Sequence, residues 1–312
     1  MSDVTILDGG MGKELRRIGA PFRQPEWSAL ALMEAPDRVV EAHRNFVEAG
    51  AEVVTTNNYA VVPFHLGDDV FAERVDALTG LAGRLAREAA DASGRHVRVA
   101  GSLPPLFGSY EPEHVDRERA APIYRRIVDA LAPSIDLWLG ETLSTVVEMH
   151  LVVEAVRSAG SDAPIWISFT LPNHWSDGTE VVLPSGETLD EVVAAVAALR
   201  GEVSAVLVNC SLPEQTGPAL ASLRTSLDAA GLVDVRTGGY ANAFPVARED
   251  GYRANQLVFE RREELTADHY ADLVGGWIDD GATIVGGCCD MYPEHIAELS
   301  ERFGGRETVA NA

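Results

Sequence analysis

The sequence lacks an uninterrupted apolar run of about 18 residues, so no membrane-spanning helix is expected. Its first ten residues, MSDVTILDGG, lack a basic head followed by an apolar stretch, so no secretory leader is visible. Low-complexity tracts and heptad repeats are absent, which argues against disordered or fibrous architectures. Positive charge is scarce. The 25 Lys and Arg face 48 Asp and Glu, for a formal net charge of −23. A surface of that sign repels phosphate backbones, so nucleic acid is an unexpected partner, and the surplus reads as a solvated acidic exterior. Cysteine is scarce too, with only Cys210, Cys288 and Cys289. An odd count without a leader does not make a disulfide framework. The expected setting is cytoplasmic, with reduced thiols.

What is present is a repeating pattern. Short β-rich runs recur at residues 4–8, 52–56, 97–101, 137–141, 165–169, 205–210, 235–239 and 283–288. Few alternate cleanly between apolar and polar, as expected of strands buried on both faces. Helical patterns fill the gaps at 12–18, 36–49, 71–92, 115–132, 145–159, 188–200, 214–230, 266–280 and 293–303. Eight strand-then-helix units predict a single (β/α)8 TIM barrel spanning 1–312. No linker divides the chain, and no G-x-G-x-x-G follows the first strand to suggest a dinucleotide-binding sheet. Nothing in the pattern specifies an oligomer.

A barrel places its chemistry at the C-terminal ends of its strands. Asp8, Thr55 to Asn58, Ser102, Glu141, Cys210, Asn242 and the Cys288–Cys289 pair fall at those ends. The longest connections, 102–114, 170–187 and 240–265, leave from the same side. Three thiols from the sixth and eighth strands can therefore converge. Three thiolates with an open position suit a catalytic zinc. Ionising three thiols at pH 7 costs about 6 kcal/mol, and apparent structural zinc affinities of about 10–16 kcal/mol, which already include that cost at neutral pH, show that thiolate sites form despite it. Spacing alone leaves three readings open: zinc, plain core packing, and a strained redox disulfide between the adjacent cysteines. Asp8 could instead simply shape a turn, and Glu141 could cap the following helix. Glu148 reads as structural, and no histidine pair sits at metal-ligand spacing.

Six segments occur in a telling order: ILDGGMGKEL at 6–15, TTNNY at 55–59, GSLPP at 101–105, ETLSTVVE at 141–148, VNCS at 208–211 and GGCCDMYPEHI at 286–296. Together they resemble the homocysteine S-methyltransferase family, over about residues 3–303. That family includes betaine-, S-methylmethionine- and S-adenosylmethionine-dependent members, and the homocysteine-binding domain of cobalamin-dependent methionine synthase. The resemblance implies a zinc-dependent barrel with Cys210, Cys288 and Cys289 as ligands to Zn2+. It implies that Asp8 and Glu141 receive the α-amino group of homocysteine. Thr55 and the amides of Gly9 and Gly10 would help with the carboxylate. The expected partners are a small-molecule thiol acceptor and a methyl-onium donor, and the expected product is methionine. No folate or cobalamin domain is expected beside the barrel, so the expected donor is a small onium compound.

Two stretches depart from the family pattern. Asp290-Met291-Tyr292 replaces a small, Gly-rich turn, and Gly239 to Phe244 keeps only Asn242 of a Pro-Asn element. Both fall at the mouth of the site. Aromatic faces attract onium groups, so Tyr59, Trp138, Trp175 and Tyr240 are candidate donor contacts, with the loop Asn173 to Asp177 as a candidate donor wall. Three alternatives stand beside the leading reading. One is methyl transfer to a different thiol or selenol. Another is a non-enzymatic barrel that binds zinc and an amino acid. The third is a hydrolase or lyase using Asp8 and Glu141 as acid and base.

Overall fold

The computed structural model describes residues 4–172, 181–245 and 261–305. The strands are β1 (Thr5–Ile6), β2 (Val53–Thr55), β3 (Arg98–Leu103), β4 (Leu137–Leu143), β5 (Ile165–Phe169), β6 (Val203–Asn209), β7 (Arg236–Ala241) and β8 (Ile284–Gly287). The α-helices are α1 (Met11–Arg17), α2 (Ser28–Glu34), α3 (Pro36–Glu48), α4 (Pro63–Leu66), α5 (Asp68–Ala92), α6 (Arg117–Leu131), α7 (Val146–Ser158), α8 (Leu189–Ala198), α9 (Pro213–Ala229), α10 (Ala267–Asp279) and α11 (Pro293–Phe303). All strand pairings are parallel, in the order β1-β8-β7-β6-β5-β4-β3-β2. Between β1 and β2 the seam is one bridge, Leu7 to Val53, with Glu52 N donating to Ile6 O at 2.8 Å and Asp8 N to Val53 O at 3.0 Å. The fold is the (β/α)8 TIM barrel that the sequence pattern predicts. No described helix is long and apolar enough to cross a membrane.

Two apolar layers hold it together. Leu7, Val53, Leu137, Leu139, Trp166, Leu207 and Ile284 fill the interior of the barrel. Their strand neighbours, such as Trp138, Ile165, Ile167 and Val206, pack outward against the helices. Burial on both faces explains why the strands read as continuous apolar runs. At the N-terminal end, the guanidinium carbons of Arg98 and Arg236 lie 5.2 and 5.9 Å from the Trp166 ring, flooring the interior with charge-on-ring contacts.

The interior leaves no spare room between β7 and β8. A Cβ at Gly238 would lie 2.0 Å from Ile284 O and 2.7 Å from Ile284 Cβ. Because Gly238 and Ile284 are paired in register, relief requires the two strands to part. Gly238→Ala is therefore expected to destabilise the protein by about 3 kcal/mol. A denaturant melt that overlays the parent would contradict this packing.

The sequence pattern misses α2 and α4. Helix α2 is preceded by Trp27 at its N-cap position, with φ 47° and no capping side chain, so no start signal is written there. Trp138 is not a donor contact. It points outward and is fully buried, with its indole N–H donated to Ser161 Oγ at 2.9 Å. Trp175 and the loop Asn173 to Asp177 lie outside the described residues, as do parts of the 170–187 and 240–265 connections.

Candidate metal and amino-acid site

Residues Cys210, Cys288 and Cys289 follow the ends of β6 and β8, the two strands that flank β7. Parallel registry brings their sulfurs together, all within 4.8 Å of one another. Cys210 Sγ and Cys289 Sγ are 3.7 Å apart. Two thiolates on a tetrahedral metal, each about 2.3 Å from it, would be about 3.8 Å apart. All three cysteines are free thiols, so no disulfide joins Cys288 to Cys289. Among the described residues no histidine or carboxylate joins the cluster.

The backbone around the cluster is tightly specified. Cys210 sits at φ 49°, in the left-handed region. Its carbonyl accepts from Asn242 Nδ2 at 2.6 Å and from the Tyr110 hydroxyl at 2.8 Å, while its amide donates to Tyr240 O at 3.1 Å. Cys288 N donates to Ala241 O, and Ala243 N donates to Cys289 O. Asn242 thus ties the end of β7 to Cys210. The turn after β1 packs directly on the cysteine turn: a Cβ on Gly9 or Gly10 would lie 2.5 Å from Met291 O or Cys288 O respectively. Only glycine fits such an approach.

The three thiols titrate together. Hydrogen bonds from Cys288 and Cys289 hold Cys210 well below the usual thiol range. The bond to Cys210, with burial, pushes Cys288 and Cys289 well above it. A cation bound among the three sulfurs would favour the ionised form of each.

Asp8 and Glu141 line the same cavity as the sulfurs, which measures about 210 Å³. Both are buried. Asp8 accepts from Thr55 N at 2.7 Å and Thr55 Oγ1 at 3.3 Å. Glu141 accepts from Ser102 Oγ at 2.5 Å. Burial raises Asp8 to about 7, against the pull of the Thr55 bonds. Burial raises Glu141 to about 8, aided by the charges of Asp8 and Cys210 and opposed by the Ser102 bond. Two carboxyls raised this far by burial stand to gain from a cation placed beside them.

The sequence-predicted residues Asp8, Gly9, Gly10, Thr55, Glu141, Cys210, Cys288 and Cys289 all line this one cavity, with Tyr59 and Tyr240 among its walls. The details differ from expectation in one respect. Both Thr55 donors go to Asp8, and Gly10 N donates to Met291 O at 2.8 Å. Thr55 and Gly10 thus spend those bonds inside the protein. Glu141 does not cap α7, whose N-cap is Thr145. Glu148 serves the backbone instead, accepting from Ser144 N at 2.7 Å.

Sequence reasoning passed over several supports. Asn209 is fully buried and does not line the cavity. Its Oδ1 accepts from Thr142 N and Ser168 Oγ, and its Nδ2 donates to Thr142 Oγ1 at 2.8 Å. It thereby locks Thr142, at φ 59°, directly after Glu141. Tyr110 and Lys13 were also missed. Tyr110 lies in the long 102–114 connection, whose departure from the strand C-termini was its one available signal.

A family model for homocysteine S-methyltransferase matches residues 5–303. The chain is 31% identical to the homocysteine S-methyltransferase of Escherichia coli K12, covering 96% of this chain and 95% of that protein. It is 26% identical to the selenocysteine methyltransferase of Astragalus bisulcatus, covering 93% and 90% respectively. The crystal structure of the metallated form of the E. coli homocysteine methyltransferase MmuM superposes with a TM-score of 0.74 at 30% identity, covering 96% of both chains.

Proposed function

Since the chain belongs to the homocysteine S-methyltransferase family, we propose that its single barrel domain transfers a methyl group from a small onium donor to the thiol of homocysteine, using zinc held by Cys210, Cys288 and Cys289. The supporting observation is one cavity that joins three converging sulfurs to two buried carboxyls. The donor set fits the metal: three soft thiolates select zinc over magnesium or calcium, and the 3.7 Å sulfur spacing suits a tetrahedral ion. Zinc bound there would keep the acceptor sulfur deprotonated and nucleophilic near neutral pH.

The protein's own groups do the rest. Asp8 and Glu141 receive the α-ammonium of the acceptor, whose desolvation would otherwise go uncompensated. Thr55 and Ser102 fix the two carboxyl groups in place. The acceptor sulfur attacks the methyl carbon in line. The new carbon–sulfur bond forms as the bond to the onium atom breaks, and its electron pair stays with the departing donor. Negative and positive charge cancel along this path, so the largely apolar cavity wall that Tyr59 and Tyr240 help to form favours it. The product thioether is neutral and leaves.

The test is a matrix of donors and acceptors with zinc-loaded protein, read as methylated product by mass spectrometry. Donors are S-methylmethionine, S-adenosylmethionine and betaine. Acceptors are homocysteine and selenocysteine, the latter because one relative is a selenocysteine methyltransferase. Product from homocysteine supports the proposal. Product from selenocysteine alone supports the selenol reading, and no product in any cell of the matrix supports a non-enzymatic binder. A hydrolase or lyase would keep its activity in Cys210→Ser.

The raised carboxyls give a pH signature. For an ammonium to bind as an ion pair, Asp8 and Glu141 must release protons from groups near 7 and 8. Occupancy by a cation lowers both, so affinity rises with pH and levels off above about 8. Methionine is the cleaner probe, because it carries the ammonium without a thiol proton. Its affinity for metal-free protein is expected to rise about tenfold or more from pH 6 to pH 8, with proton release by calorimetry. A flat profile would remove the two carboxyls from the binding role.

A further inference from the structure

Lys13 is the only lysine in the sequence, since 24 of the 25 basic side chains are arginine. It occupies the first turn of α1, three residues after Gly10, and lines the cavity. No other Lys or Arg among the described residues does so. Its Nζ lies 2.9 Å from Asp290 Oδ2, with side-chain exposures of 10% and 2%. Asp290 in turn is held at φ 64° and accepts from the Tyr292 hydroxyl at 3.2 Å. The unusual turn after the cysteine pair therefore fastens one cationic head to the cavity wall.

We propose that Lys13 is the carboxylate-reading, specificity-determining residue of the site. Its ammonium takes the α-carboxylate of an amino-acid substrate. This rests on the functional reading above and extends it. An amino acid presents both an ammonium and a carboxylate, and each needs an opposite partner when buried. Asp8 and Glu141 answer the first. Of the groups expected to answer the second, Thr55 gives both its donors to Asp8, and Gly10 N goes to Met291 O. Among the described residues, Lys13 supplies the one Lys or Arg charge in the cavity wall. Asp290, nearly shut off from solvent, lies behind it and holds it there. The homocysteine acceptor and an amino-acid donor such as S-methylmethionine both carry this carboxylate, so the experiment separates them.

Calorimetry on zinc-loaded wild type, Lys13→Met and Lys13→Arg would use four ligands. These are homocysteine, S-methylmethionine and their decarboxylated analogues, 3-aminopropane-1-thiol and dimethyl(3-aminopropyl)sulfonium. Lys13→Met is expected to weaken one intact amino acid by about 10- to 100-fold while its decarboxylated analogue hardly moves. Which ligand responds identifies the carboxylate that is read. Lys13→Arg should recover most of the loss. Equal weakening of intact and decarboxylated ligands would reduce Lys13 to a shaping role and overturn the proposal. So would unchanged binding in Lys13→Met. Wild-type protein that binds neither amino acid would overturn the functional reading and this proposal with it.

Discussion

Replacing Cys288 with Ala is expected to leave the purified protein with less than about a tenth of an equivalent of zinc, after challenge with a competing chelator. Methyl transfer should fall by about a thousandfold. A site that draws about 10–16 kcal/mol from its ligands owes about 3–4 kcal/mol to each, or about 10²–10³ in affinity. Here the loss is at the upper end, because the cluster has three sulfurs and no described histidine or carboxylate to substitute. The fold should survive. Cys288 lies at the cavity wall and is only partly buried, and its backbone bond from N to Ala241 O does not involve the side chain. The thermal transition of metal-free Cys288→Ala should therefore match that of metal-free wild type. Full zinc content in the variant would mean that the metal is held elsewhere.

Glu141→Gln is the second large effect, and it separates binding from stability. Glutamine keeps the shape and can still accept from Ser102 Oγ, but it removes one of the two charges facing the ammonium. Breaking one side of a buried ion pair costs about 3–5 kcal/mol, so homocysteine affinity should drop by roughly 100- to 5000-fold. Zinc content should not change, since Glu141 is not part of the sulfur cluster. The ligand-free protein should be as stable as wild type or more so. Burial raises the Glu141 carboxyl to about 8, so its ionised form costs the folded state stability as pH rises above its unfolded value of 4.5. A neutral amide removes that cost. Lost stability with retained affinity would make Glu141 a structural residue.

How much of this was written in the sequence depends on the kind of signal. The strand Ile165–Phe169 and the helix Pro293–Phe303 match the pattern residue for residue, because each is bounded by clear punctuation and filled by one kind of side chain. The placement of Asp8, Glu141, Cys210, Cys288 and Cys289 at one mouth follows from the barrel rule alone. Other features were illegible for physical reasons. Strands buried on both faces carry no alternation, so nothing told Trp138 from its inward neighbours Leu137 and Leu139. Asn209 was visible only as the partner of Cys210 in a motif. Its work on Thr142, 67 residues earlier, exists only once β4 and β6 both lie beside β5. The Lys13–Asp290 pair likewise joins the first turn of α1 to the turn after β8 and leaves no local trace.

The central claim is that sulfurs from two distant strands share one zinc and leave a position for the acceptor thiol. Zinc-edge X-ray absorption of the loaded protein, before and after addition of homocysteine, tests it most directly. The account predicts three sulfur neighbours at about 2.3 Å rising to four. A shell dominated by nitrogen or oxygen, or a sulfur count that homocysteine does not change, would contradict it.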